Sequence, residues 1–460
     1  MEEVSQIERR FPQPLALLSV GCIVAAMVLC LALWRLPPQV PLLLGCLIAS
    51  AAALAGGCSL REIGAGIVRS VRQALPAICL LVLIGALMGV WIGAGVVPAM
   101  VRYGLGLISP RLFPAGAMLV CALVSMVLGS WGTAGTVGLA LMGIAHTFGI
   151  PAPLAAGAVI SGSYVGDKLS PLADTTNLAA AVAEVNVFDS IRNIFKVSAP
   201  MLGLCLAVYA GLGLGYGGTG SAAQLETVTA ALDGAFRISL LNFLPLLLLL
   251  GCVLAKLPPI PSLAAGVVSG AVYAMLAQGA SPAELLRWAL TGYVGRTGTA
   301  AVDALLTAGG VWSMAETVTI ILLAMSFGGI LQHTGQAEAL MAPLLRRVRG
   351  LPGLMAATMA TGLATNVLLP DQYIAITLPG KLYAGAYDRQ GFSRLDLALG
   401  VGVSGALTSA LVPWNTCGTF MSGVLGVATA HYLPYAFYNY GMLVAAVVYA
   451  AVKQRRKKTG

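Results

Sequence analysis

Charge is what this sequence has least of. Lys, Arg, Asp and Glu together make up 9% of its 460 residues, while 58% are hydrophobic. Mean hydropathy is +0.89. Soluble domains carry about a quarter charged residues, so water cannot solvate this chain's surface; its solvent is lipid. Histidine is nearly absent, with three in all, which leaves little room for a histidine-built metal site. None of the nine cysteines (22, 30, 46, 58, 79, 121, 205, 252 and 417) forms a Cys-x-x-Cys pair. They are expected to act as small packing residues, and no cofactor is implied. No segment is polar enough to form a soluble domain. The net charge of +9 is scattered over loops and gathered in Lys453–Lys458, so nucleic acid is not the partner; the bilayer is.

What is present instead is long uncharged stretches. Residues 112–166 and 397–452 contain no Lys, Arg, Asp or Glu, and each is long enough for two crossings at roughly 20 residues per crossing. Across the chain this predicts an all-α polytopic membrane protein with about 10–12 transmembrane segments. Residues 14–34, 38–56 and 75–97 read as ordinary spans, with an interfacial amphipathic stretch at Arg61–Arg69 between the last two. The first is expected to be a retained span rather than a removed signal peptide. Arg9 and Arg10 at one end and the 453–460 tail at the other point to two cytoplasmic termini under the positive-inside rule. That requires an even number of crossings. Twelve fits, but it sets Arg346, Arg347 and Arg349 outside, a conflict that one re-entrant hairpin would remove. The expected organisation is an N-terminus (1–13), a first half (14–216), a polar connector (217–238), a second half (239–452) and the tail.

The halves resemble each other. Ala156–Gly162 is echoed by Leu399–Gly405. Each is followed by a polar cluster, Pro171–Asn177 in one half and Pro413–Cys417 in the other, and preceded by an interrupted segment, Ser130–Thr136 and Asn366–Gln372. Two repeats, inverted in the membrane, with broken helices or re-entrant hairpins account for this pattern. Backbone that leaves the helix at membrane depth survives only where it is buried in protein or lines a wet cavity. Gly, Pro, Ser, Thr and Asn at these breaks would present carbonyls, hydroxyls and helix ends to one another, as a small-cation site requires.

The acids sharpen the expectation. An ionised Asp at the centre of a span costs on the order of 3 kcal/mol even on the gentlest scale, so an acid there has a task. Asp167, Asp174 and Asp371 sit in or beside the interruptions. Asp174 with Thr175, Thr176 and Asn177, facing Asn415 and Thr416, is expected to hold a cation. Asp167 and Asp371 would be proton-titrating partners, and Ser130, Thr133 and Lys168 would support them. The bland alternatives are a helix cap for Asp174, starting a half-helix Leu178–Ala183, local neutralisation of Asp167 by Lys168, and an interfacial loop for Asp371. Glu184 and Glu316 read as interfacial, and Tyr432, Tyr435, Tyr438 and Tyr440 as an aromatic belt.

Gly129–Thr136, then Gly166–Asn177, look like the signature of the NhaC-type sodium/proton antiporter family. Asp371-Gln372-Tyr373, Leu378-Pro379-Gly380, Val412–Gly418 and Tyr432–Phe437 are similar to its second-half motifs. The resemblance covers roughly residues 40–450. It implies a multi-pass exchanger of the bacterial inner membrane, usually Na⁺ against H⁺, with no metal beyond transported Na⁺; some members exchange organic acids of the malate/lactate kind. Relatives tend to carry an acidic pair where this chain has Gly402-Val403, which puts the coupling stoichiometry in question. The alternative cargo is a small organic anion or amino acid, met by a half-helix N-terminus and Lys168 or Lys381. A remote alternative is an intramembrane aspartyl protease, because Gly166-Asp167 matches half of a Gly-x-Gly-Asp site. Homo-oligomerisation is left open.

Overall fold

The computed structural model describes residues 11–459 apart from 35, 108, 217–221, 256 and 342–348. The described chain is helical with no strand. Six helices are long and apolar enough to cross a membrane, or up to nine if each of three bent pairs is one span; Gln13–Met27, Gln39–Ala55 and Pro110–Met126 are shorter apolar helices. The protein is a multi-pass membrane protein.

Residues 75–97 and the stretch before them are not separate elements. Leu60–Gly93 is one helix of 34 residues, opened by a capping box between Ser59 and Glu62 and passing through Pro76. At 1.5 Å per residue it is about 50 Å long, longer than the roughly 30 Å hydrocarbon core, so the Arg61–Arg69 turns extend the span. Alongside lie Ala315–His333 and the N-terminal helices, joined by a small apolar core of Ile23, Leu42, Ala49, Ala324 and Phe327. Gly217–Ser221 of the expected connector, Arg346 and Arg347, and Arg9 and Arg10 lie outside the described residues. The rest of the connector is largely a helix, Ala222–Ala235. Tyr432 and Tyr438 are not belt residues: both are fully buried, with their hydroxyls bonded to the Ala410 carbonyl and Ser198.

Two sets of helices form the main core, and their elements recur about 240 residues apart. The first set is α1 (Phe113–Thr133, continuing through a π-helical turn to Thr147), α2 (Ala152–Leu169), α3 (Asp174–Val182) and α4 (Val187–Gly213). The second is α5 (Gly350–Leu368), α6 (Gln372–Arg389), α7 (Arg394–Val401, continuing through a π-helical turn to Leu411), α8 (Thr416–Leu425) and α9 (Phe437–Thr459). The break at Gly129 in α1 matches the gap between α5 and α6, and the short helices α3 and α8 begin at matching places. Four of the points where chain leaves the helix thus lie inside the packed sets, where protein rather than lipid surrounds the freed backbone.

Small residues let α1 and α2 approach backbone to backbone. A Cβ at Gly162 would stand 2.2 Å from the Met118 carbonyl oxygen, and one at Gly166 would stand 2.2 Å from that of Ala122. This Gly-x-x-x-Gly stripe is a common membrane-helix contact. Neither carbonyl can retreat without breaking its own helix. Gly162→Val or Gly166→Val should therefore separate the pair at a cost of about 3 kcal/mol or more, read as loss of the monodisperse peak in detergent chromatography; a variant with wild-type yield and melting temperature would contradict the contact.

At the far end of the second set, Asp396 of α7 is 1% exposed and accepts Lys453 Nζ of α9 at 2.7 and 2.9 Å. Tyr449 of α9 donates to Asn193 Oδ1 at 2.9 Å, and Asn193 Nδ2 donates to the Leu395 carbonyl at 3.0 Å. The start of the basic tail, Lys453, is thus part of α9 and bonded to the body.

Candidate functional site

The first centre forms where α1 breaks. Gly129 has φ 70° and ψ 174°, a conformation that a side chain would strain. The freed turn leaves the N-terminus of the half-helix from Ser130 facing the end of α2. A Cβ at Gly129 would meet only Asp167 Oδ1, at 3.8 Å, so that carboxylate lies against the break. The Ser130 N–H and Oγ point to the same oxygen at 3.4 and 3.5 Å. Helix N-termini carry partial positive charge, and the acid is placed to meet it.

The other carboxylate oxygen is held by α3 and by its neighbour in sequence. Thr175 Oγ1 donates to Asp167 Oδ2 at 2.8 Å, and Lys168 Nζ stands 3.2 Å from it. Lys168 also donates to Thr175 Oγ1 at 2.6 Å. Thr176 Oγ1 closes the ring on the Asp167 carbonyl at 2.9 Å. Asp167 is 3% and Lys168 1% exposed. Taking two such charges out of water is expensive. Their mutual attraction, three donors and one helix end offset that cost. The arrangement is a buried, neutral ion pair with hydroxyls and a carbonyl on one side: oxygen ligands suited to a hard cation, and a carboxylate able to release one positive partner for another.

Asp174 lies elsewhere than expected. It is exposed, as is Asn177, and it is the first residue of α3 rather than its cap, since the helix begins at Asp174 and not Leu178. Its Oδ1 accepts the Thr175 N–H at 2.8 Å and its Oδ2 accepts the Tyr373 hydroxyl of α6 at 2.5 Å. An exposed carboxylate in a lipid-dissolved chain needs water, so the start of α3 lines a wet space beside the buried pair. Asn177 turns back on its own loop, donating to the Pro171 and Ala173 carbonyls, both at 2.8 Å. It braces the turn and is not joined to the other candidates.

The second centre matches the first in construction but not in chemistry. Asp371 is 8% exposed and caps α6, accepting the Tyr373 and Ile374 N–H groups at 2.8 and 3.0 Å. It is a buried cap rather than an interfacial loop residue. Asn415 caps α8 through the Cys417 N–H at 3.1 Å. Its amide donates to Asn366 Oδ1 at 3.0 Å, and Asn366 donates onward to the Gly405 carbonyl at 2.8 Å and Thr408 Oγ1 at 2.9 Å. Thr416 N–H joins the Pro370 carbonyl at 3.1 Å. Where the first centre has an acid, a lysine and hydroxyls, this one has an acid bound to backbone N–H groups and two interlocked amides. Thr133 is buried with no hydrogen-bond partner for its hydroxyl. Lys381 is exposed on α6.

Sequence reasoning missed two contacts. The Tyr373–Asp174 bond joins the two sets across 199 positions, and nothing local to either residue announces it. Asn366 as the hub of the second centre had a signal: it is the one amide in the uncharged run 350–370.

Broken helices paired across two sets, with a buried acid at each of the matching breaks, define the class: a secondary transporter. Comparison with known proteins makes this specific. The model of the Na⁺/H⁺ antiporter family matches residues 162–453. The chain is 32% identical to the malate-2H⁺/Na⁺-lactate antiporter of Bacillus subtilis over 90% of its own length and 89% of that protein. It is 31% identical to the Na⁺/H⁺ antiporter NhaC of Alkalihalophilus pseudofirmus over 94% of each. It is 36% identical to the arginine/ornithine antiporter ArcD of Halobacterium salinarum over 92% of its own length and 88% of that protein. The chain belongs to the Na⁺/H⁺ antiporter family. It is a transporter and not an enzyme, which disposes of the protease reading.

Proposed function

We propose that this chain exchanges Na⁺ for H⁺ across a bacterial inner membrane at the Asp167 carboxylate. The observation that carries this reading is the buried Asp167–Lys168–Thr175 triangle at the Gly129 break. A sodium ion entering from the wet space by Asp174 takes carboxylate and hydroxyl oxygens, and the positive charge on Lys168 must then withdraw or lose its proton. The carboxylate holds one positive charge at a time, so loading of the ion and loading of the proton exclude each other. That exclusion yields exchange without covalent chemistry.

A second reading is favoured by Lys168 itself. A buried ammonium beside a half-helix N-terminus can receive a carboxylate, and two of the relatives are named for organic cargo. Purified protein in liposomes separates the two. The expected result is internal pH change driven by a Na⁺ gradient, with no uptake of labelled malate, lactate or arginine. Labelled uptake without Na⁺-driven pH change would replace the first reading with the second. Within the first reading, Asp174→Asn should raise the half-saturating Na⁺ concentration about tenfold with the maximal rate nearly kept, as expected for loss of one charged entry contact. An unchanged Na⁺ dependence would remove Asp174 from the ion's path.

A further inference from the structure

The second residue after each break is an aromatic with a hydrogen-bond donor: Trp131 after Gly129, and Tyr373 after Asp371. Each reaches across to the other set, but their situations differ. The Tyr373 hydroxyl is bonded to Asp174, the first residue of α3. The Trp131 ring stacks on Phe420 of α8, with centroids 4.1 Å apart and planes inclined by 14°, and it lies beside Cys417. Its Nε1 is buried with no oxygen or nitrogen acceptor and faces the Cys417 sulfur, a weak acceptor. The residue that starts α8 as Asp174 starts α3 is Thr416. Asp174 is exposed and Leu172 before it is 56% exposed, whereas Thr416 is 5% and Asn415 and Cys417 are 0% exposed. The first set's short helix is therefore open at its start, with its cross-set bond made. The second set's is closed, with its cross-set donor left on a sulfur. A buried donor left on a weak acceptor is poorly satisfied, and a stronger oxygen acceptor in another state of the molecule explains its presence here.

We propose that Tyr373 and Trp131 are alternating positioning residues of the transport cycle. Tyr373 holds Asp174 in the conformation described above. Trp131 takes the matching bond, Nε1–H to Thr416 Oγ1, in the conformation where α8 is the open short helix. The inference rests on the exchanger reading, since exchange requires the site to open to the two sides of the membrane in turn. It adds the pair of residues that marks which set is open.

The test uses the native cysteines. Wild-type protein in liposomes is alkylated with N-ethylmaleimide, and the rate at Cys417 is read by peptide mass spectrometry. Tyr373→Phe removes the bond that favours the described conformation and should speed Cys417 alkylation roughly fivefold, the population shift that one hydrogen bond supplies. Trp131→Phe removes the bond that favours the other conformation and should slow it below wild type, although a smaller ring covers Cys417 less. Cys121, buried against α2, should react equally slowly in all three proteins and so reports intact folding. Wild-type rates in Tyr373→Phe, or faster alkylation in Trp131→Phe, would overturn the proposal. Absence of Na⁺-driven pH change in wild-type vesicles would instead sink the exchange reading, leaving the alkylation contrast to be judged by itself.

Discussion

Asp167→Asn abolishes exchange. In vesicles, the Na⁺-driven pH signal should fall by a factor of a hundred or more, on the order of 3 kcal/mol of lost stabilisation for the bound ion. The reason is geometric. Asp167 is the acid that touches the Gly129 break, the Ser130 helix end and the α3 hydroxyls at once. An asparagine there keeps the shape and one oxygen but has no charge to pass between sodium and proton. The single substitution also leaves Lys168 buried without its partner, so transport must be measured beside a folding control. The double variant Asp167→Asn/Lys168→Met provides it, because it removes both charges together. Transport lost in both variants, with a normal elution profile in the double, is the expected pattern. Sodium exchange surviving in the double variant would move the ion's site elsewhere, with Asp371, the buried carboxylate at the matching break, as the next candidate.

Lys168→Met is expected to unsettle the protein more than any other single change at this site. Replacing one member of a buried ion pair strands the other, at a cost of about 3–5 kcal/mol. Lys168 is 1% exposed, and the two oxygens it serves belong to Asp167 and Thr175. A lowered melting temperature in detergent, largely restored in the double variant, would show the coupling. If Lys168→Met melts with the wild type, the Asp167 charge is being balanced by something other than this lysine.

How much of this was legible in the sequence depends on the range over which each signal acts. Lipid as the solvent follows from composition alone, and the four interruptions follow from Gly, Pro, Ser and Asn inside uncharged runs, because helix breaking is local. Asp167, Asp174 and Asp371 stood out for the same reason. Their ranking did not. Whether Asp174 or Asp167 sits in the dry pocket depends on how α3 folds back on the end of α2, and Thr175 and Thr176 make that turn by bonding Asp167 rather than by lining up with Asp174. The cross-set bond from Tyr373 was illegible because its partner is 199 residues away. Leu60–Gly93 was misdivided because Arg61–Arg69 carries enough charge to look interfacial, while the helix simply runs past the membrane's thickness. Tyr432 and Tyr438 were read as a belt from residue type, but the Ala410 carbonyl and Ser198 draw them inward.

The Asp396–Lys453 contact bears on how the second set can move. α7 is moored to α9 at the end where Asp396 lies, and its opposite end runs through the π-helical turn into the Asn415 break. The opposite end is held by neutral hydrogen bonds, from Asn366 to the Gly405 carbonyl and Thr408 and from Tyr432 to the Ala410 carbonyl, which give way more readily than a charge-assisted contact. Any displacement of α7 is therefore delivered to Asn415 and the mouth of α8, with the clamped end serving as the fulcrum of a lever.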